Sequence, residues 1–334
     1  MRQHDLSFAN FVLRFGPDEV LLDYVEEIVL PAFLNEEHIR TYGDTEFRFY
    51  NTKLRRLGTH DGDPVLGVTG HFVKDMKLRR QQIFVESRGL VANTAEIESA
   101  PSSFFILILN NHRLLYFAET AAAPTLESFG ATAEQFLRAE WHRYLRERLE
   151  HENVTRRGVE RITTKQLRQR IPTPVLEVVR VAGKDAITDS IGRFGKITQL
   201  RFKLIEPNDE TDAAEAVSAL ESSLRPTEPT RLEVVVSGPK GLNKAEVERA
   251  VGEVSEGQNT EIVVDGEDKE GLKMKADNNE FALSLPIEDA PKEDPELADA
   301  LFKEYEKLAG EAKVKGLNAI DKVKQKVRQL VQRI

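Results

Sequence analysis

Ten cations lie between residues 138 and 170, at Arg138, Arg143, Arg146, Arg148, Arg156, Arg157, Arg161, Lys165, Arg168 and Arg170, against five glutamates. Nine of the ten are arginine, whose planar fork grips a phosphate or a carboxylate through two parallel hydrogen bonds. The chemistry this composition points to is anion recognition, with nucleic-acid phosphate as the sharpest case. A smaller basic group, Lys74, Lys77, Arg79 and Arg80, precedes it. The candidate nucleic-acid-binding residues are Arg79, Arg80, Arg138, Arg143, Arg146, Arg156, Arg157, Arg161, Lys165 and Arg168, through phosphate contacts to DNA or RNA. The competing reading is a pair of solvated faces, or an internal contact with an acidic second half. Residues 1–170 balance to −1 and residues 171–334 to −8, which together give the net charge of −9.

Catalytic signals are weaker. All seven histidines fall in the first 151 residues, and His60, Asp61, Asp63 and His71 cluster around one turn. Zinc or manganese accepts such donors, yet Asp61-Gly62-Asp63-Pro64 is explained by the turn itself. Glu86, Glu96 and Glu98 stand near Lys77, the residue types that a magnesium-dependent nuclease gathers, but without diagnostic spacing. His112, in a hairpin turn, and His142, on the basic helix, read as surface residues. Gly192-Arg193-Phe194-Gly195-Lys196 has a phosphate-friendly composition. It is read as an ordinary helix end, with Gly195 in the left-handed position and Lys196 at the negative end of the dipole. There is no Walker loop, dinucleotide fingerprint or nucleophile elbow. The absence of cysteine excludes disulfides, cysteine-ligated zinc, iron–sulfur clusters and thiol catalysis. No catalytic residue, metal or cofactor is assigned.

The elements that must position these residues divide into two styles. The opening segment alternates from Leu6 to Phe15 as a half-buried strand. Pro17-Asp18-Glu19 then starts a helix of about fifteen residues, as first-turn proline and acids favour. From Thr45 to Ala118 β-rich runs follow one another, with Asp61-Gly62 as a tight turn. Phe104 to Asn110 and Arg113 to Thr120 form a hairpin across Asn110-Asn111-His112, and its first arm, apolar on both faces, reads as a central strand covered on each side. Leu126 to Leu149 is a long amphipathic helix carrying the single Trp, Trp141, and the basic stretch.

Beyond it strands and helices alternate. Strands are expected at 175–181, 200–205, 232–236, 262–264 and 281–285, with a short run at 272–274, and helices at 186–194, 212–224 and 243–254, the last capped by Asn243. The fold class is α+β: a mostly antiparallel N-terminal sheet with helices (1–157), then a two-layer α/β sandwich of the ferredoxin-like or split βαβ kind (158–288), then a linker and C-terminal amphipathic helix (289–334). That tail carries an apolar stripe from Leu317 to Ile334 opposite Lys322, Lys324, Lys326 and Arg328. It is expected to pack on its own chain, on a protein partner or in self-association through 295–334, with a membrane surface as the alternative. Apolar runs of about six residues are far below the roughly 20 that cross a bilayer. The N-terminus lacks the apolar stretch of an export signal, and a cytoplasmic setting is expected.

The run Ser102 to Phe117, the Ile171-Pro172 step and the strand LRFKLIEPN at 200–208 resemble a bacterial family of unknown function found in mobile and defence-related genomic islands. The resemblance spans residues 5–265 and brings no catalytic residue. It implies an accessory role in defence against phage or foreign DNA. The function expected is a non-enzymatic nucleic-acid- or protein-binding component of such a module. The alternatives are a divergent metal-dependent nuclease effector and a protein-only adaptor or inhibitor.

Overall fold

The computed structural model describes residues 4–17, 19–155, 161–205, 232–256, 259–317 and 319–332. In chain order the first elements are β1 (His4–Phe15), β2 (Glu19–Val20), α1 (Leu30–Leu34), β3 (Arg40–Tyr42), β4 (Thr45–His60), β5 (Asp63–Val85), β6 (Gly89–Ser99), β7 (Ser102–Ile108) and β8 (Arg113–Ala118). There follow α2 (Leu126–Thr155), α3 (Thr164–Arg170), β9 (Val175–Arg180), α4 (Lys184–Arg193), β10 (Phe194–Leu204), β11 (Leu232–Leu242) and α5 (Lys244–Glu256). The last are β12 (Thr260–Asp268), β13 (Lys273–Asp277), β14 (Ser284–Ile287), α6 (Asp294–Gly310) and α7 (Asp321–Val331). The class is α+β. Among the described residues no helix is long and apolar enough to cross a membrane.

The hairpin of β7 and β8 lies inside the first sheet, whose order is β14-β1-β8-β7-β5-β4-β3. Because β7 alternates two apolar faces, the sheet needs a cover on both. Phe105, Leu107 and Leu109 enter one core with Phe33 of α1, Phe129, Phe136 and Trp141 of α2, and Val323 and Val327 of α7. Phe104, Ile106 and Ile108 enter the other, against Leu301, Phe302 and Tyr305 of α6. Phe129 is the centre of the aromatic packing, 5.1 Å from Phe105 and 5.3 Å from Phe49 between ring centroids. The Asp-Gly turn forms as read, with Asp61 and Gly62 both at positive φ, the backbone a two-residue hairpin loop requires.

Several expectations change. The helix expected after Pro17 begins only at Leu21, because Glu19 and Val20 pair with β1; Asp18 lies outside the described residues. It then runs as a 3-10 turn (Leu21–Tyr24), a π turn (Val25–Val29) and α1. Pro31 has no N–H to return to the preceding turn and its ring crowds that carbonyl, and the Leu30 amide reaches back to Val25 in the wider register. The strands expected to bound the second unit, β9 and β14, both pair with β1 instead, along Ala9–Arg14 and His4–Ser7 respectively. Residues 184–281 thus stand in the chain between two strands of the first sheet. Twelve residues of β1 offer more edge than the four of β14 can cover, which leaves room for β9.

The inserted unit has the order β11-β10-β12-β13 with antiparallel neighbours, so β11 and β12, joined through α5, run parallel on either side of β10, which is the split βαβ arrangement expected. Its core joins α4 and α5 to one sheet face through Ile187, Ile191, Val247 and Val251. The helix expected at 212–224 lies outside the described residues. Asn243 caps α5 as read, accepting from the amides of Ala245 and Glu246. Gly195 is not a left-handed helix end: it lies in β10, where a Cβ would stand 2.2 Å from the Asp268 carbonyl oxygen. Glycine there permits strand approach, and the phosphate reading of 192–196 has no geometric support.

The tail packs on its own chain. The apolar residues of α6 and α7 are buried in the two first-sheet cores, and the cationic side of α7 meets aspartates. Lys326 pairs with Asp23, and Arg328 Nε donates to Asp63 at 2.6 Å. The start of α6 is held by His71 of β5, whose two ring nitrogens stand 3.0 Å from Glu119 and 3.0 Å from Asp294. Burial alone would lower the His71 pKa, but the two carboxylates outweigh it and raise it above the ordinary 6.5. A histidine raised on folding contributes stability that is complete below its unfolded pKa and is lost as pH climbs through the folded value. The melting temperature should therefore fall as pH rises from 6 to 8, and His71→Gln should lose about 2 kcal/mol at pH 6 and flatten that fall; an unchanged slope in the variant counts against the clamp.

Candidate nucleic-acid interface

The basic stretch folds into two antagonistic faces of one helical pair. Along α2, Phe129, Ala133, Phe136, Leu137, Trp141 and Leu145 recur at three- and four-residue steps and are buried in the sheet core, which turns Arg138, His142 and Arg146 toward solvent. The Thr125 hydroxyl accepts from the Ser128 amide at the start of α2. The short α3 would be marginal alone. It is held by a capping box between Thr163 and Gln166 and by its apolar residues Ile162, Leu167 and Ile171, all buried.

Three further bonds tie the α3 segment back to α2. The Asn153 side chain accepts from the Ile162 amide at 2.9 Å and donates to its carbonyl at 3.1 Å. The Trp141 indole N–H donates to the Ile171 carbonyl at 3.1 Å. This brings Arg168 over the Trp141 ring, 5.7 Å from its centroid. A stacked guanidinium keeps its in-plane N–H groups directed outward.

The structure sorts the predicted cations into groups. Arg146, Arg161 and Lys165 are exposed, and with Arg168 they occupy the C-terminal half of α2 and the α3 segment. Arg138 is exposed and pairs with Glu134 at 2.6 Å. Arg143 serves the fold: it bonds buried Glu140, Glu147 and the Glu27 carbonyl. The Glu140 hydrogen bond comes first among the causes that raise its pKa. Arg156 and Arg157 lie outside the described residues. Arg79 and Arg80 belong to a separate element, β5, where Arg79 stands 3.2 Å from Glu96 and Arg80 is in register with Ala95. Two cations outside the candidate set join the pair, since Arg148 and Arg170 reach the same Glu152 at 3.1 and 3.5 Å. The signal for this was the four-residue spacing of Arg148 and Glu152.

Among the described residues, the ion pairs of the α2–α3 cations all end on Glu134, Glu140, Glu147 or Glu152. None reaches the acidic unit at 184–281. Such exposed helix pairs are worth only a few tenths of a kcal/mol each, about 0.3–0.5, and pairing does not change the local charge balance.

The metal and nuclease readings gain no geometry. Asp63 accepts from Arg328 of α7, and His71 is engaged by Glu119 and Asp294. Lys77 is in register with Glu98 and Arg79 with Glu96, a ladder of alternating charge, and among the described residues no three acidic or histidine side chains gather as a metal requires. His112, read as a surface residue, is buried at 2% exposure, because a hairpin central to the sheet has its turn covered as well. With Asn10, Asn111 and Arg113 it floors a cavity of about 1610 Å³ between the two units. The rim of that cavity mixes Lys184 and Lys313 with Asp185, Asp189 and Glu248, so it selects no sign of charge.

No family model and no curated protein matches this chain. The assignment of a role therefore rests on the helical pair itself. Trp141→Phe removes the indole N–H and leaves the Ile171 carbonyl unpaired, which should cost about 1–3 kcal/mol in urea unfolding followed by circular dichroism, with faster amide exchange across 162–171; unchanged exchange would mean that α3 is held by other contacts.

Proposed function

We propose that this chain is a non-enzymatic nucleic-acid-binding component that contacts phosphates of DNA or RNA through the α2–α3 pair. The observation that carries the reading is that Arg146, Arg161, Lys165 and Arg168 stand exposed on one joined helical unit whose cations find their carboxylates locally and not in the acidic unit. The side chains that would otherwise mask this face are weakly bound glutamates, which a polyanion displaces at small cost. Contacts of this kind fix a protein on the backbone without reading bases, so affinity depends on salt and little on sequence. The resemblance of residues 5–265 supports a setting in defence against foreign DNA, in which this protein would hold nucleic acid rather than cut it.

Four phosphate contacts imply a slope of log affinity against log salt of about −3.6 on duplex DNA. Filter binding between 50 and 200 mM salt should then weaken by roughly a hundredfold. The triple variant Arg161→Gln, Lys165→Gln, Arg168→Gln should reduce the slope to about −1, since each lost cation removes about one unit. The DNA or RNA should be recovered intact after incubation with Mg²⁺ or Mn²⁺. Absent binding at 50 mM salt, or a slope unmoved by the variant, rules out this face as the binding site.

A further inference from the structure

β5 outruns the main sheet. Its pairing with β7 ends at Val73 and with β4 at Met76, and residues 77–85 pair with β6 alone. At about 3.3 Å per residue this two-stranded ribbon is roughly 30 Å long. Directly opposed residues of an antiparallel pair share a face, so the register separates the two sides. One side carries the Lys77–Glu98 and Arg79–Glu96 rungs and, toward the tip, the half-buried Ile83–Val91 rung. The other carries Leu78–Ile97 at the root and Phe84–Leu90 at the tip, with Arg80–Ala95 and Gln82–Ala92 between them. The register shift between Arg80 and Gln82 is an extra residue in β6, and a bulge of that kind leaves the alternation of β5 intact. Exposure on this side is high: Leu78 46%, Ile97 52%, Phe84 71% and Leu90 72%.

We propose that this apolar ribbon face is a self-association surface, and that its partner is the same face of a second copy of the chain. The order of rungs, apolar, polar with alanine, polar with alanine, apolar, reads the same from either end. A two-fold axis between the Arg80–Ala95 and Gln82–Ala92 rungs places the root pair of one copy on the tip pair of the other, and the reverse. That reciprocity is the condition of an isologous contact. Ala92 and Ala95 leave space at the axis, while the Lys77–Glu98 and Arg79–Glu96 rungs keep to the solvent side. Two strands spaced about 4.8 Å apart make the face roughly 10 Å wide, hence about 300 Å² per copy. A standard interface uses about 800 Å² per partner. The dimer is therefore weak and exchanges with monomer as concentration changes. The apolar faces of α6 and α7 are already buried in the cores of the chain.

Sedimentation velocity of the full chain over a hundredfold concentration range tests this. The weight-average sedimentation coefficient should rise with concentration for the native protein. It should stay at the monomer value for Phe84→Glu with Leu90→Glu, and equally for Leu78→Glu with Ile97→Glu, with melting temperatures unchanged. Because the chain has no cysteine, Gln82→Cys, beside the axis, should oxidise to a covalent dimer, whereas Gln81→Cys, on the opposite side, should not. A monomer at every concentration overturns the proposal. So does a dimer that survives both double variants, or one that Gln81→Cys traps as readily as Gln82→Cys.

Discussion

The β7–β8 hairpin, apolar on both faces, is the constraint on which the rest of this structure depends. A strand such as Phe104 to Leu109 can be stable only where neither face meets water, so the sheet around it must be covered twice. One cover is built from α1, α2 and α7, the other from α6. The second requirement draws the C-terminal segment back across the first sheet. It also leaves residues 184–281 between two strands of that sheet in the chain. The sequestering of α2 against one face is what gives its opposite face, with Arg138 and Arg146, to solvent.

Charge is arranged to suit each location. Where a carboxylate is buried by the fold it is met by a cation, as Glu140 is by Arg143 and Asp63 by Arg328, and half-buried Asp23 is met by Lys326. On the outer side of α2 and α3 the glutamates are themselves exposed or shared, as Glu152 is between Arg148 and Arg170. The first arrangement is structural, because removing one partner would strand a desolvated charge. The second is labile and leaves the face cationic overall. Such a surface steers a polyanion toward it and loses that attraction as salt screens it.

Local signals in the sequence were legible and non-local ones were not. The Asp61-Gly62 turn, the Asn243 cap, the doubly apolar hairpin and the α2 stripe each depend on residues within a few positions of one another. Strands were readable at 175–181 and 281–285, overlapping β9 and β14, but nothing in their own residues says that both pair with β1. The same limit hid the burial of His112, whose turn is covered only because the hairpin is central. Gly195 was misread for a related reason: a glycine that ends a helix and a glycine that admits a passing carbonyl look alike until the opposing strand, at Asp268, is known. For the candidate interface, the concentration of arginine was visible from composition alone. The sorting of Arg143 into the fold and of Arg146, Arg161, Lys165 and Arg168 onto its surface needed the docking of α3 on α2.

The single tryptophan offers a direct reading of the central claim, since Trp141 lies beneath Arg168 in the middle of the proposed face. In one titration with a fluorescently labelled oligonucleotide at low salt, anisotropy of the label and emission of Trp141 can be followed together. The account predicts that both change along the same curve and that added salt reverses both. Binding that leaves the Trp141 emission unaltered, or no rise in anisotropy at all, would contradict it.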